Sequence, residues 1–272
     1  MTPDCRAIRA FARMCNDGWL QGWHERNGGN LTYRLTEEEL AECRPFFREP
    51  GPWTDMGVED DYLAGAYFLS TGSGKYMRNV MDAPDENLCI LEINDKGSAW
   101  RIVWGLVGGG KPTSEFSSHY LCHCVRAKAT NGETRVMYHA HPAHIVALTF
   151  VLPLTSRAFT RALWQSETEC PIVFPNGVGV VEFMVPGGSE IARATEKMMA
   201  RHDAVVWAHH GLFTSGPDFD TAFGLMHTIE KAAQIRILAL SAGQGQLRQA
   251  ISDQEILAVA KTYDKELDVT LL

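Results

Sequence analysis

The chain predicts an α/β fold: one domain over residues 1–272, with a central mixed β-sheet and helices on both faces. Three observations carry that expectation. Some stretches repeat apolar residues at helical spacing, while others run in short β-branched and aromatic blocks. Leu88 to Ile93 and Ser98 to Trp104 flank the turn Asn94-Asp95-Lys96-Gly97, which reads as a hairpin. Further along, strand and helix patterns alternate, so hairpins and crossovers belong to the same sheet.

Taken in order, Ile8, Phe11, Ala12, Cys15, Trp19 and Trp23 give a helix over 4–23, ending near Arg26-Asn27 with Gly28-Gly29 as its stop. Leu31 to Leu35 reads as a strand. Residues 44–62, rich in Pro, Gly and acidic groups, read as an excursion loop. A short strand, Ala66 to Ser70, feeds Thr71-Gly72-Ser73-Gly74-Lys75, and the hairpin follows. A helix is expected from Thr113 or Ser114 to about Ala129, then a strand at 135–139 and helices near 142–152 and 155–165. Strands at 171–174 and 178–184, a helix at 190–201, a strand at 203–207 and a long helix at 217–241 complete the pattern.

Composition narrows the function classes. The net charge of −8 argues against a nucleic-acid partner, which would call for a basic face. No apolar run reaches the roughly 18 residues of a membrane span. Met1-Thr2-Pro3-Asp4-Cys5 lacks a basic segment followed by an apolar one, so no signal peptide is expected. Seven scattered cysteines suggest no disulfide framework, and a reducing cytoplasm is the expected location.

The chemistry concentrates on histidine. His139 and His141 lie two apart in Val136-Met137-Tyr138-His139-Ala140-His141, so on a strand both imidazoles face one way, as a divalent metal with nitrogen ligands requires. A third histidine comes from Trp207-Ala208-His209-His210-Gly211; strand alternation does not choose between His209 and His210. With Glu115 upstream, three imidazoles, one carboxylate and an open position describe a catalytic zinc. A lesser cluster, His119, Cys122 and His123, shares one helix face, where plain packing is the simpler reading. His144 falls on a presumed helix start. Anion holders are legible too: Asn27-Gly28-Gly29-Asn30, Thr71 to Lys75, and Thr113-Ser114 at a helix N-terminus. Gly105 to Lys111 approaches a nucleotide loop, but Pro112 stands where its magnesium-holding hydroxyl must be. No nucleophile-elbow spacing occurs.

In sequence order, Asn27-Gly28-Gly29-Asn30, Thr71-Gly72-Ser73-Gly74-Lys75, Pro112-Thr113-Ser114-Glu115, His139-Ala140-His141 and His210-Gly211 resemble the class II aldolase and adducin-head family, through nearly the whole chain. Gly22 to Thr32, Lys128 to Gly132, Thr168-Glu169-Cys170 and Phe174 to Gly179 narrow the resemblance to the branch that splits L-rhamnulose 1-phosphate into dihydroxyacetone phosphate and L-lactaldehyde in L-rhamnose catabolism. The resemblance implies the family's single-domain fold and one zinc per subunit on His139, His141 and His210, choosing His210 because the ligand directly precedes the glycine. It implies Glu115 as acid/base and Glu169 as a helper from a neighbouring subunit of a homotetramer. Asn27, Gly28, Asn30, Ser73, Gly74, Thr113 and Ser114 would hold the phosphate of a small sugar-phosphate substrate. His209 departs from the apolar or aromatic residue expected there. The wider resemblance also covers fuculose-phosphate aldolases, ribulose-phosphate 4-epimerases and methylthioribulose-phosphate dehydratases. It reaches the non-catalytic adducin head as well, where an open metal site would have no use.

Overall fold

The computed structural model describes residues 5–272; the expected helix start at residue 4 and the reading of the Met1–Asp4 terminus lie outside it. Ile8, Phe11, Ala12 and Cys15 are buried along one side of α1 (Arg6–Leu20). The helix stops before the Gly28-Gly29 signal because Gly22 already takes a left-handed φ of +78°. Trp19 therefore stays at the surface under Arg78, while Trp23, beyond the helix, packs on Phe223.

β1 (Asn30–Arg34) precedes α2 (Glu37–Cys43), a helix the apolar pattern does not signal, although Thr36 and Glu39 cap it reciprocally. The 44–62 excursion holds the two-residue β2 (Thr54–Asp55). β3 (Tyr67–Thr71), the single turn α3 (Pro84–Asn87), and the hairpin β4 (Leu88–Ile93) and β5 (Ala99–Gly105) follow. α4 (Phe116–Ala129), β6 (Val136–Ala140), α5 (Ala143–Leu148) and α6 (Ser156–Trp164) lie where the periodicity puts them, with shorter ends.

The expected strand at 171–174 is instead a helical turn, α7 (Cys170–Val173). Pro171 in its first turn has no N–H to leave unpaired, and its fixed φ suits a helix start. β7 (Gly179–Val181) covers only the first part of the strand expected at 178–184, while α8 (Ser189–Met199) and β8 (Ala204–Trp207) match expectation. β9 (Gly211–Gly216), absent from the sequence reading, precedes the long α9 (Phe219–Ala242), and α10 (Asp253–Thr262) comes last.

The nine strands form one mixed sheet in the order β2-β5-β4-β3-β1-β6-β9-β8-β7, antiparallel throughout except for β7 beside β8. Alternation splits its two faces. Val136, Tyr138 and Ala140 of β6 join the core formed with α1, α5 and α9. Met137, Val205, Trp207 and Phe213 pack on the other face, with Cys122 of α4 and Ile191 and Met199 of α8. No helix among the described residues is long and apolar enough to cross a membrane.

The central pairing positions everything functional. β6 runs antiparallel to β1 on one side and β9 on the other, with His139 opposite both Asn30 and Phe213. The end of β6 thus meets the starts of β1 and β9, and β3, antiparallel to β1, ends there too. Leu31 anchors β1 with no exposed surface. Leu31→Ala is expected to cost about 2–5 kcal/mol, read as a lower urea midpoint with an unchanged slope.

Candidate metal centre and anion cavity

The end of β6 delivers His139 and His141, and the turn between β8 and β9 delivers His210. Each offers a ring nitrogen, all within 4.8 Å of one another. This closeness needs Gly211. A Cβ there would lie 2.8 Å from His139 Cε1 and 3.0 Å from His141 Cδ2, and closer still to the Ala140 carbonyl oxygen. His209 is turned away by a left-handed φ of +62°: its ring bonds Thr149 Oγ1 at 2.9 Å and leans on Phe150. The pair that strand alternation leaves undecided is thereby resolved by one backbone torsion.

The three rings fit a metal by what they lack. His139 Nδ1 faces the Leu212 carbonyl at 3.2 Å, and His141 Nδ1 faces Glu25 Oε1 at 2.7 Å. Those acceptors fix both rings as Nδ1–H tautomers, leaving each Nε2 a bare lone pair. Both Nε2 atoms are buried without a hydrogen-bond partner, as is His210 Nδ1. Orphaned buried polar atoms are costly and rare, and a ligand ring held from behind by a carbonyl or carboxylate is how proteins prepare a metal site. Burial and the neighbouring imidazoles push the His139 pKa well down, and burial takes His210 to about 4, so both are neutral ligands. The three histidines therefore offer a donor set that suits a divalent metal.

Glu115 stands beside this centre, with Oε2 3.6 Å from His139 Nε2. It is buried, which raises its pKa, while the hydrogen bond from the Asn30 amide and the nearby His141 ring pull the other way. In front lies a cavity of about 170 Å³ lined by Asn27–Asn30, Gly72–Ser73–Gly74, Thr113–Ser114–Glu115, His141 and His210. Backbone bonds join its walls: Ser73 N donates to Lys111 O at 2.8 Å and Thr113 N to Thr71 O at 2.8 Å. His24 braces the third wall, with Nδ1 3.0 Å from Gly28 O and Nε2 2.7 Å from the Tyr138 hydroxyl. Gly29, at φ +73°, lies so close to His24 that a side chain would collide with the ring. A larger hollow of about 640 Å³ beside α1 and α2 mixes arginines with acidic side chains and holds no such donor set.

Every expected site residue but one thus meets in one place. Glu169, exposed at the N-cap of α7, does not line the cavity. Asn30 does, but both ends of its amide are engaged, with Glu115 and with His119. The lesser cluster does not converge on a metal: His119 and His123 both bond Thr32 Oγ1, while Cys122 packs among apolar side chains with Met137 and Phe213. His144 lies in the first turn of α5, where the Glu230 carboxylate accepts from the backbone N–H groups of His144 and Ile145 and meets the His144 ring at Nδ1. The sequence reading misses His24 and Glu25, whose partners lie 114 and 116 residues away, too far for any local signal.

The pattern of the class II aldolase and adducin N-terminal domain matches residues 9–237. The chain belongs to that family. Among relatives of this aldolase domain, rhamnulose-1-phosphate aldolases from Escherichia coli strains HS and K12 are 43% identical over 256 residues, covering 94% of this chain and 93% of theirs. A sugar-phosphate aldolase from Thermotoga maritima superposes with a TM-score of 0.73 at 30% identity, over 87% of this chain and 95% of its own. L-fuculose-1-phosphate aldolase from Thermus thermophilus shares the fold, with a TM-score of 0.59 at 24% identity over 88% of this chain and 97% of its own.

A buried imidazole whose folded pKa lies below its unfolded value binds fewer protons when folded. Its stabilisation is complete above the unfolded value of 6.5 and is lost as pH falls toward the folded values, about 4 for His24 and His210 and about 3 for His119. Glu115, raised by burial, acts in the opposite sense but is outnumbered. Metal-free protein is therefore expected to show a level Tm above about pH 7 and a steady fall from about pH 6.5 to 4. A Tm unchanged over that interval in thermal melts would refute the neutral rings.

Proposed function

We propose that this chain is a metal-dependent aldolase that cleaves L-rhamnulose 1-phosphate to dihydroxyacetone phosphate and L-lactaldehyde. The observation that carries the reading is the set of partnerless imidazole nitrogens beside a buried carboxylate, opening on a polar cavity. The relatives in Escherichia coli supply the substrate. Zinc, one per subunit, suits three neutral nitrogen ligands. Held by His139, His141 and His210, it would supply a Lewis acid for the negative charge left on the three-carbon fragment when the C3–C4 bond breaks.

The chain's own groups do the rest. As the C3–C4 bond breaks, the C4 hydroxyl gives up its proton to become the aldehyde, and Glu115 delivers one proton to the carbon that was C3, completing dihydroxyacetone phosphate; burial raises its pKa, which favours the proton-carrying form. Asn27, Ser73, Thr113 and Ser114, with the N–H groups of Gly28 and Gly74, take the phosphate. That grip fixes which face of the fragment meets the aldehyde. Glu169 serves from a neighbouring copy in a homotetramer, a reading supported by its exposure away from the cavity and by surface-exposed Phe150, Val151, Phe183 and Val185. Seven buried free cysteines suit a reducing cytoplasm.

The test is a coupled assay for dihydroxyacetone phosphate, before and after chelation and zinc restoration. Metal-dependent turnover of L-rhamnulose 1-phosphate above that of L-fuculose 1-phosphate is the expected result; a zinc-loaded protein silent on the former would overturn the substrate. Glu115→Gln is expected to keep its metal and lose at least about 100-fold in kcat. Near-normal turnover in that variant refutes the role given to Glu115. Ser73→Ala is expected to raise KM more than it lowers kcat, and an unchanged KM would move the phosphate elsewhere.

A further inference from the structure

A file of polar side chains leads from Glu115 into the interior, away from the cavity. Asn30 Nδ2 lies 2.8 Å from Glu115 Oε2, and Asn30 Oδ1 meets His119 Nε2. His119 Nδ1 and His123 Nε2 each lie 2.8 Å from Thr32 Oγ1. All five residues are buried. Two periodicities assemble the file: His119 and His123 are four apart on α4, and Asn30 and Thr32 are two apart on β1, so each pair shares a face.

Donor chemistry gives the file one direction. A carboxylate accepts, so Asn30 turns its NH₂ toward Glu115 and its carbonyl toward His119. His119 must then carry its proton on Nε2. Burial holds that ring's pKa near 3, outweighing the Met137 backbone, so the ring is neutral and Nδ1 is a bare acceptor. The Thr32 hydroxyl donates to Nδ1, and its oxygen accepts from His123 Nε2. His123 Nδ1 is left as the bare end, and it is indeed buried without a partner.

We propose that His119, backed by Thr32 and His123, is a positioning residue for Glu115: a one-way file of N–H and O–H donors locks the Asn30 amide and so holds the carboxylate beside His139. The proposal rests on the role given to Glu115 above. A purely structural role does not account for it well. Two neutral imidazoles and a hydroxyl cost desolvation wherever they are buried, and apolar side chains would fill the same space without it. What the polar set adds is a defined orientation at its one outlet, Glu115.

Two measurements test this. Histidine ¹⁵N NMR on the metal-free protein should find both His119 and His123 as neutral Nε2–H tautomers at neutral pH. An Nδ1–H or doubly protonated His119 would overturn the file. In metal-loaded enzyme acting on L-rhamnulose 1-phosphate, His119→Phe is expected to lower kcat about 10–100-fold, with metal content unchanged and KM within about twofold. His119→Gln, whose amide N–H reaches toward the Nε2 position, should recover most of the loss. Full kcat in folded, metal-loaded His119→Phe, or equal losses in both variants, would overturn the proposal. The tautomer measurement needs no turnover, so inactivity of the unmodified enzyme on this substrate would sink the proposed reaction while the NMR result still decides the file.

Discussion

The pairing of β6 between β1 and β9 is the constraint on which the site depends. It places His139 opposite Asn30 on one side and Phe213 on the other, with no freedom in either direction. A one-residue slip on either side would turn the facing side chains to the other layer. The antiparallel sense then does something a parallel sheet does not. It brings the end of β6 level with the beginnings of β1 and β9, so that loops far apart in sequence, 27–30, 71–75 and 209–211, converge. Gly29 and Gly211 let those loops close onto β6, because at both places the space for a Cβ is already taken by a ring or a carbonyl of the site.

Within that frame the chemistry depends on which nitrogens are left bare. His139 and His141 are each held at Nδ1 by an acceptor, and His119 at Nε2, so neighbouring histidines are fixed in opposite tautomers by their own partners. The first arrangement points lone pairs at a common point, where a cation belongs. The second points N–H groups along a file that ends on a carboxylate. One residue type thus builds both an electron-pair donor set and a proton-donor set, and only the second partner of each ring tells them apart.

The sequence makes much of this legible and leaves the rest dark for physical reasons. His139 and His141 announce themselves because strand alternation is a local rule, and the glycine-rich segments because turn chemistry is local too. α2 is legible in its Thr36–Glu39 capping box but carries too little apolar periodicity to stand out over seven residues. β9 is hidden because Gly211 to Gly216 begins and ends in glycine and is buried throughout, so it shows neither alternation nor strong strand preference. At 170–173, Ile172 and Val173 suggest a strand where Pro171 has already set a helical turn. His209 and His210 are indistinguishable by pattern, since the torsion that separates them comes from the tight turn between β8 and β9. Asn30 reads as an anion holder from its place in a glycine-rich loop, yet both ends of its amide are engaged by partners 85 and 89 residues away.

The concentration of neutral imidazoles sets how fold and function are coupled. His24, His119, His123, His139 and His210 are all pushed toward the uncharged form, chiefly by burial. Three of these rings satisfy their polar atoms within the protein: His24 and His119 fully, and His123 at one nitrogen. The metal triad does not, and its bare nitrogens leave the folded chain with unmade bonds that a cation would complete. A ligand that binds only the folded state adds stability by mass action, and here the binding groups exist as a set only once β6, β1 and β9 have paired. The site is therefore not an ornament on a finished scaffold. The strand register that makes the sheet also makes the ligand set, and a metal bound there would hold the same three strands in that register.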